Sequence, residues 1–145
     1  MDPLRILVAD DNTDAAAILG ALLSYCCHQV RLASNGRQAL ELAKDWEPDV
    51  VVLDLEMPEM NGFAAAEAIR RETDVPVLAA LSAWSGPEVE SRVKEAGFDL
   101  FFCKGVSFRN LAAGIEDIAG KRLKAAGHAS RAKGRVGFPR AEGRP

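Results

Sequence analysis

Five polar residues stand directly after short apolar runs, and together they would make one reaction site. Asp10 and Asp11 follow Leu4–Ala9, Asp54 follows Val50–Leu53, Ser82 follows Val75–Leu81 and Lys104 follows Leu100–Cys103. Three carboxylates held close together repel, and a hard divalent cation relieves the repulsion. Mg2+ suits such a small all-oxygen site, where it keeps several waters. An ammonium group beside the carboxylates offsets more of the charge and can hold a phosphate oxygen as a point charge. A carboxylate in that setting can attack a phosphoryl group and form an aspartyl-phosphate, whose spread negative charge the metal and the lysine stabilise. A serine hydroxyl within hydrogen-bond range can then sense whether the phosphoryl group is present. Taken one at a time, these residues have plainer readings: a turn-forming or helix-capping Asp, a solvated Lys, a loop Ser. Their joint arrangement has no counterpart in core packing.

The elements that must position them are legible from periodicity. Leu4–Ala9, Gln29–Ala33, Val50–Leu53, Val75–Leu81 and Leu100–Cys103 read as strands. The first and third are nearly continuous in apolar β-formers, as parallel strands covered on both faces require. The segments between them have helical spacing. Ile18, Leu22 and Tyr25 form one stripe and Leu111, Ile115 and Ile118 another, with shorter stripes at Ala39, Leu40, Ala43 and at Ala65, Ala68, Ile69. Asn12 or Thr13 is placed to cap the first helix, and Ser107 or Asn110 to start the last. Five βα repeats predict an α/β fold: a doubly wound five-stranded parallel sheet with right-handed crossovers and helices on both faces. In such open sheets the functional crevice lies at the carboxyl ends of the strands. All five polar residues fall on that rim.

The length of 145 residues fits one domain and excludes a full catalytic barrel or a large second domain. The formal net charge of -3 hides a split. Residues 1–120 carry 10 Lys/Arg against 20 Asp/Glu, a net -10, whereas residues 121–145 carry 8 basic residues and one acid, a net +7. The last segment is poor in large apolar groups and reads as a basic Gly/Ala/Arg/Lys-rich tail, disordered for want of surface to bury. The expected division is therefore a domain at 1–120 and a tail at 121–145. Cys26, Cys27 and Cys103 have neither metal-site spacing nor an even count, so reduced cytosolic thiols are expected, with Cys103 packed, and His28 beside Cys27 lacks the spacing of a zinc site. No apolar run approaches the roughly 18 residues of a membrane span. Met1-Asp2-Pro3 has acid where a signal peptide needs base. The expected location is the cytoplasm, with no membrane partner.

The residues then match a known pattern. The chain resembles a response-regulator receiver domain, the phosphoacceptor module of two-component signalling, over about residues 4–120. The resemblance rests on Ala9-Asp10-Asp11-Asn12; on Leu53-Asp54-Leu55-Glu56-Met57-Pro58 with Gly62 eight residues after Asp54; and on Ser82-Ala83, Ala96-Gly97, Phe101 and Lys104. It implies a flavodoxin-like (βα)5 fold with strand order 2-1-3-4-5, in a stand-alone, chemotaxis-type single-domain regulator. It implies that Asp54 is phosphorylated, and that Mg2+ is held by Asp10, Asp11, Asp54 and the backbone carbonyl of Glu56. Ser82, Ala83 and Lys104 correspond to the positions that bind the phosphoryl group, and Ser82 and Phe101 to the switch pair. The donor would be a phosphohistidine on a sensor histidine kinase or histidine phosphotransfer protein. Output would pass to an unidentified protein through a changed binding surface, with homodimerisation left open. Such a domain is not an enzyme toward other substrates, although it catalyses its own phosphorylation and slow dephosphorylation.

Three features depart from the family pattern. Gly105 follows Lys104 where the family has Pro, commonly on a cis bond, so a trans or differently shaped loop is expected. Pro76 lies six residues before Ser82 rather than five, which suggests an early start or a bulge in strand four. Trp84 and Glu56 flank the site and are expected to restrict or orient attacking water and so to set the phosphoryl lifetime. Competing readings are weaker. A haloacid-dehalogenase-type phosphatase needs Asp-x-Asp-x-Thr, which Asp10-Asp11-Asn12-Thr13 does not supply. A phosphorylation-independent pseudo-receiver is the main alternative, kept alive by Gly105. Nucleic-acid binding through the tail would be weak and salt-sensitive, with no aromatic interleaving beyond Phe138, and is not expected.

Overall fold

The computed structural model describes residues 2–126. Strands and helices alternate from end to end: β1 (Arg5–Ala9), α1 (Thr13–Tyr25), β2 (Gln29–Ala33), α2 (Gly36–Trp46), β3 (Val50–Asp54), α3 (Gly62–Glu72), β4 (Val77–Ser82), α4 (Pro87–Glu95), β5 (Leu100–Cys103) and α5 (Phe108–Ala126). The strands form one all-parallel sheet in the order β2-β1-β3-β4-β5. Every residue of β3 and β4 is buried, because both strands have neighbours on either side and helices on both faces.

Alternation along the strands divides the core in two. Leu7, Val51, Leu53 and Leu78 face α2 and α3, whereas Ile6, Val8, Val50, Val52 and Ala79 face α1 and α5. The predicted stripe Leu111, Ile115, Ile118 packs into the second cluster. Three asparagines begin the helices that follow β1, β2 and β3. The side chains of Asn12, Asn35 and Asn61 accept from the N–H groups of Ala15, Gln38 and Ala64 at 2.8–3.0 Å. The Ser107 hydroxyl accepts from Asn110 N–H in the same manner at the start of α5.

The face presented by α1 differs from the predicted one. Ile18, Leu22 and Tyr25 are 63%, 40% and 89% exposed, and the buried residues are Ala16, Gly20 and Leu23. The helix lies close on β2. A Cβ on Gly20 would come 3.1 Å from the Leu32 side chain, so the glycine sits at the contact with β2, Ala16 and Leu23 share its face, and Ile18, Leu22 and Tyr25 are turned outward. The start of β4 also differs. Val75 is exposed, the strand opens at Val77 directly after Pro76, and its pairing with β3 runs unbroken from Val50↔Val77 to Asp54↔Leu81, so the strand carries no bulge.

Basic residues beyond position 120 begin inside α5, which continues to Ala126. Arg122 donates to Asp99 Oδ1 at 2.6 Å and to the Pro76 carbonyl at 3.1 Å. Asp99 Oδ2 in turn accepts from Arg70 at 2.7 Å and from Leu78 N–H at 2.9 Å, tying α3, α5 and β4 together at the sheet end away from the polar rim. The expected tail at 127–145 lies outside the described residues. His28 is buried: its Nδ1 accepts from Leu4 N–H at 3.0 Å, which leaves its proton on Nε2, 2.9 Å from Glu116 Oε2. It is a link between β1, β2 and α5 and not a metal ligand. No described helix is long and apolar enough to cross a membrane.

Candidate functional site

The carboxyl ends of β1, β3, β4 and β5 bring the predicted residues together. Asp10 follows β1 and is buried, with Oδ1 accepting from Asn12 N–H at 2.9 Å. Asp11 beside it is exposed. Asp54 is the last residue of β3 and only 2% exposed. Its Oδ1 accepts from Glu56 N–H at 3.0 Å and its Oδ2 from Lys104 Nζ at 3.0 Å. One ligand oxygen from each of Asp10, Asp11 and Asp54 can be chosen so that all three lie within 4.8 Å of one another. The Lys104 side chain is 40% exposed, so it reaches in from the rim, and its backbone N–H donates to the Ser82 carbonyl at 2.7 Å.

Gly62 lets α3 start hard against this site. A Cβ there would lie 2.5 Å from the Asp54 carbonyl oxygen. Gly105 has φ +100°, a left-handed conformation that glycine adopts without strain and proline cannot reach. Among the described residues there is no cis peptide bond. The loop after β5 thus has the different, trans shape expected from the substitution, and Lys104 still reaches Asp54.

Electrostatics follow from this packing. Burial pushes Asp10 up from 3.8 to about 6, with the hydrogen bond and charge of Asp54 acting in the same direction; Asn12 N–H and Lys104 oppose them. Burial alone would lower Lys104, but the hydrogen bond and charge of Asp54, helped by Asp10 and Glu56, outweigh it and hold the ammonium above its usual value. The donor set is three hard carboxylate oxygens, one of them on Asp10, whose ionisation is suppressed first by burial and then by Asp54, and it fits a hard divalent cation.

Ser82 and Trp84 are bonded to each other. The buried Ser82 hydroxyl donates to the Trp84 carbonyl at 2.8 Å and accepts from Trp84 N–H at 2.9 Å. The Trp84 indole N–H donates to Glu56 Oε2, so the two residues expected to flank the site are in contact. Ala83 between them is exposed. Phe101 is half-buried against the α2/α3-side cluster and Phe102 against the α1/α5-side cluster, so both aromatics are core-packed on opposite faces. Cys103 is exposed, not packed, as are Cys26 and Cys27; it ends the edge strand β5, where no neighbouring strand covers it. An open cleft of about 710 Å3 extends from Asp11, Glu56 and Ser82 to Phe63 and Arg92. The Arg92 guanidinium lies over the Phe63 ring at 4.1 Å. Those two residues were not singled out from sequence, because a cation on α4 and an aromatic on α3 share no spacing that would reveal their meeting.

The profile of the response regulator receiver domain family matches residues 6–116. The chain belongs to that family. Its receiver domain is 36% identical over 120 residues to a protein named probable transcriptional regulator ycf27 from Porphyridium aerugineum, covering 81% of this chain and 49% of that one. It is also 36% identical over 116 residues to the transcriptional regulatory protein ZraR of Escherichia coli K12, covering 79% and 26% of the two chains. The chain therefore spans about half or less of the length of these curated relatives. Among solved structures, the receiver fold superposes on a CheY-like receiver domain protein from Methanospirillum hungatei with a TM-score of 0.81 at 20% identity, covering 86% of this chain and 99% of that one. The Francisella response regulator 1452 receiver domain gives 0.77 at 24%, covering 83% and 98%. The receiver is the signal-receiving part of a two-component response regulator, and its strand order is the one the resemblance implied.

Proposed function

We propose that Asp54 accepts a phosphoryl group from the phosphohistidine of a sensor histidine kinase or a histidine phosphotransfer protein. The observation that carries this reading is the setting of Asp54: a buried carboxylate at a strand end, with an ammonium at 3.0 Å and two further carboxylates beside it. Glu56 N–H and Lys104 bind one oxygen each and so hold the carboxylate in one orientation. In the transfer, an Asp54 oxygen forms a bond to phosphorus, the P–N bond to the donor imidazole breaks, and the imidazole retains the bonding pair and takes up a proton. Lys104 is placed to follow the charge from the carboxylate onto a phosphoryl oxygen.

Asp10, Asp11 and Asp54 would hold Mg2+, with the Glu56 carbonyl completing the protein's share of the ligands. The ion would neutralise the carboxylates and the incoming phosphoryl oxygens. Ser82, one residue beyond the Leu81 that pairs with Asp54, would turn toward the phosphoryl group, and Phe101 would follow into the vacated space. That movement would reshape the surface of α4, β5 and α5 for an output partner, which shifts the equilibrium only by its differential affinity for the two shapes. Glu56 and Trp84 would tune the lifetime of the phosphoryl group by controlling water. The domain would in this way catalyse its own phosphorylation and hydrolysis.

Incubation with Mg2+ and acetyl phosphate, followed by mass spectrometry of the intact chain, tests the reading. A mass gain of one phosphoryl group in the wild type, absent in Asp54→Ala and absent with EDTA, is expected. An unmodified wild type, or an equally modified Asp54→Ala, would overturn it.

A further inference from the structure

A chain of hydrogen bonds outside the reacting groups joins Ser82, Trp84 and Glu56. The single hydroxyl proton of Ser82 goes to the Trp84 carbonyl, and the same oxygen accepts from Trp84 N–H. The indole of that residue is bonded to Glu56, on the loop that follows Asp54. Because Asp54 and Ser82 end neighbouring strands, the Glu56–Trp84 contact joins the loop that follows β3 to the loop that follows β4, beside the acceptor. Trp84 is 63% exposed and belongs to neither core cluster, so hydrogen bonds and not packing set its place.

We infer that Trp84 and Glu56 form a clasp between the loops after β3 and β4 that is closed while Ser82 is bonded to Trp84 and opens when Ser82 turns toward Asp54. Trp84 is a positioning residue in this scheme: it acts through Ser82. The inference rests on the phosphoacceptor reading for what turns Ser82, but the linkage itself is a property of the unphosphorylated chain. A hydroxyl has one proton, so Ser82 cannot donate to a phosphoryl oxygen while it donates to Trp84. Once Ser82 leaves, Trp84 N–H and C=O lose their partner in a part-buried position, and the backbone must shift to find others. The indole is carried by that backbone and is drawn off Glu56. The clasp therefore stabilises the resting arrangement and not the phosphorylated one, and weakening it favours the latter.

The test follows the Trp84 indole N–H by 15N NMR of the full chain, with the resonance assigned from its loss in Trp84→Phe. In the unmodified protein the proton should be protected from solvent exchange, and Ser82→Ala and Glu56→Ala should each remove the protection. Glu56→Gln keeps an acceptor oxygen and should lie between Glu56→Ala and the wild type. Adding Mg2+ and beryllofluoride to the wild type should release the indole. Trp84→Phe, which keeps an aromatic ring and loses the donor, should bind beryllofluoride about threefold to tenfold more tightly, the range set by one hydrogen bond. Unchanged protection in Ser82→Ala, or no tightening in Trp84→Phe while the wild type binds, would overturn the clasp. Failure of the wild type to bind beryllofluoride at all would count against the phosphoacceptor reading, and the ligand-free measurements would still decide the linkage.

Discussion

Lowering the pH should weaken metal binding at the acceptor site through one residue, Asp10. Its pKa of about 6 reflects burial next to Asp54, and a divalent cation needs the ionised form. With that value, about nine-tenths of Asp10 is ionised at pH 7 and about one-tenth at pH 5, so apparent Mg2+ affinity should fall roughly tenfold across this interval, with about one proton released per ion bound at the lower pH. The metal-free protein should show the opposite trend in stability. A folded-state pKa raised above the unfolded value of 3.8 means that the folded chain keeps a proton the unfolded chain has already lost. Stability from this group is greatest below 3.8, falls as pH rises toward 6 and is level above it, by at most about 3 kcal/mol. Tryptophan fluorescence titrated with Mg2+ at pH 5, 6, 7 and 8 reads the affinity, since Trp84 contacts Glu56 beside the site. Urea denaturation in EDTA over pH 4 to 7 reads the stability. Asp10→Asn should abolish the stability slope and bind Mg2+ weakly at every pH. A flat affinity between pH 5 and 7, or the same stability slope in Asp10→Asn, would refute the assignment.

Lys104→Ala should destabilise the metal-free protein by about 1–2 kcal/mol, below the cost of breaking a fully buried pair because the lysine is partly exposed; Asp54→Asn added to it should recover most of the loss in urea denaturation. Gly62→Ala should cost about 1–3 kcal/mol and impair phosphoryl uptake together, since its methyl group would press on the Asp54 backbone; normal uptake in a destabilised variant would show that α3 does not shape the site. Asp99→Ala should lower the thermal midpoint by several degrees without changing Mg2+ affinity, because it strands Leu78 N–H and two arginines at the far end of the sheet.

Most of the fold was legible because its periodicities are strong. Val50–Leu53 reads as a buried strand on its own, and the strand-end positions of Asp10, Asp54, Ser82 and Lys104 follow from counting along the chain. The readings that differ from the structure share a cause. Ile18, Leu22 and Tyr25 make the more apolar stripe of α1, yet Ala16, Gly20 and Leu23 face the sheet, because the close approach to Leu32 and Val30 of β2 is open only to Gly20, whose contribution hydropathy undervalues. Val75 looks like a strand residue, but the ladder with β3 begins at Val77 and leaves it in solvent. Cys103 looks packed in an apolar run, but it ends an edge strand.

Chain order alone therefore settles which residues reach the rim, since a parallel sheet with helical crossovers brings every strand's carboxyl end to one side. It does not settle which atoms meet there. That Lys104 pairs with Asp54 Oδ2, that Asp10 is the carboxylate held partly protonated, and that Ser82 spends its hydroxyl proton on Trp84 all depend on burial and side-chain direction. Those are properties of residues far apart in sequence and a few ångströms apart in space, and local pattern carries no record of them.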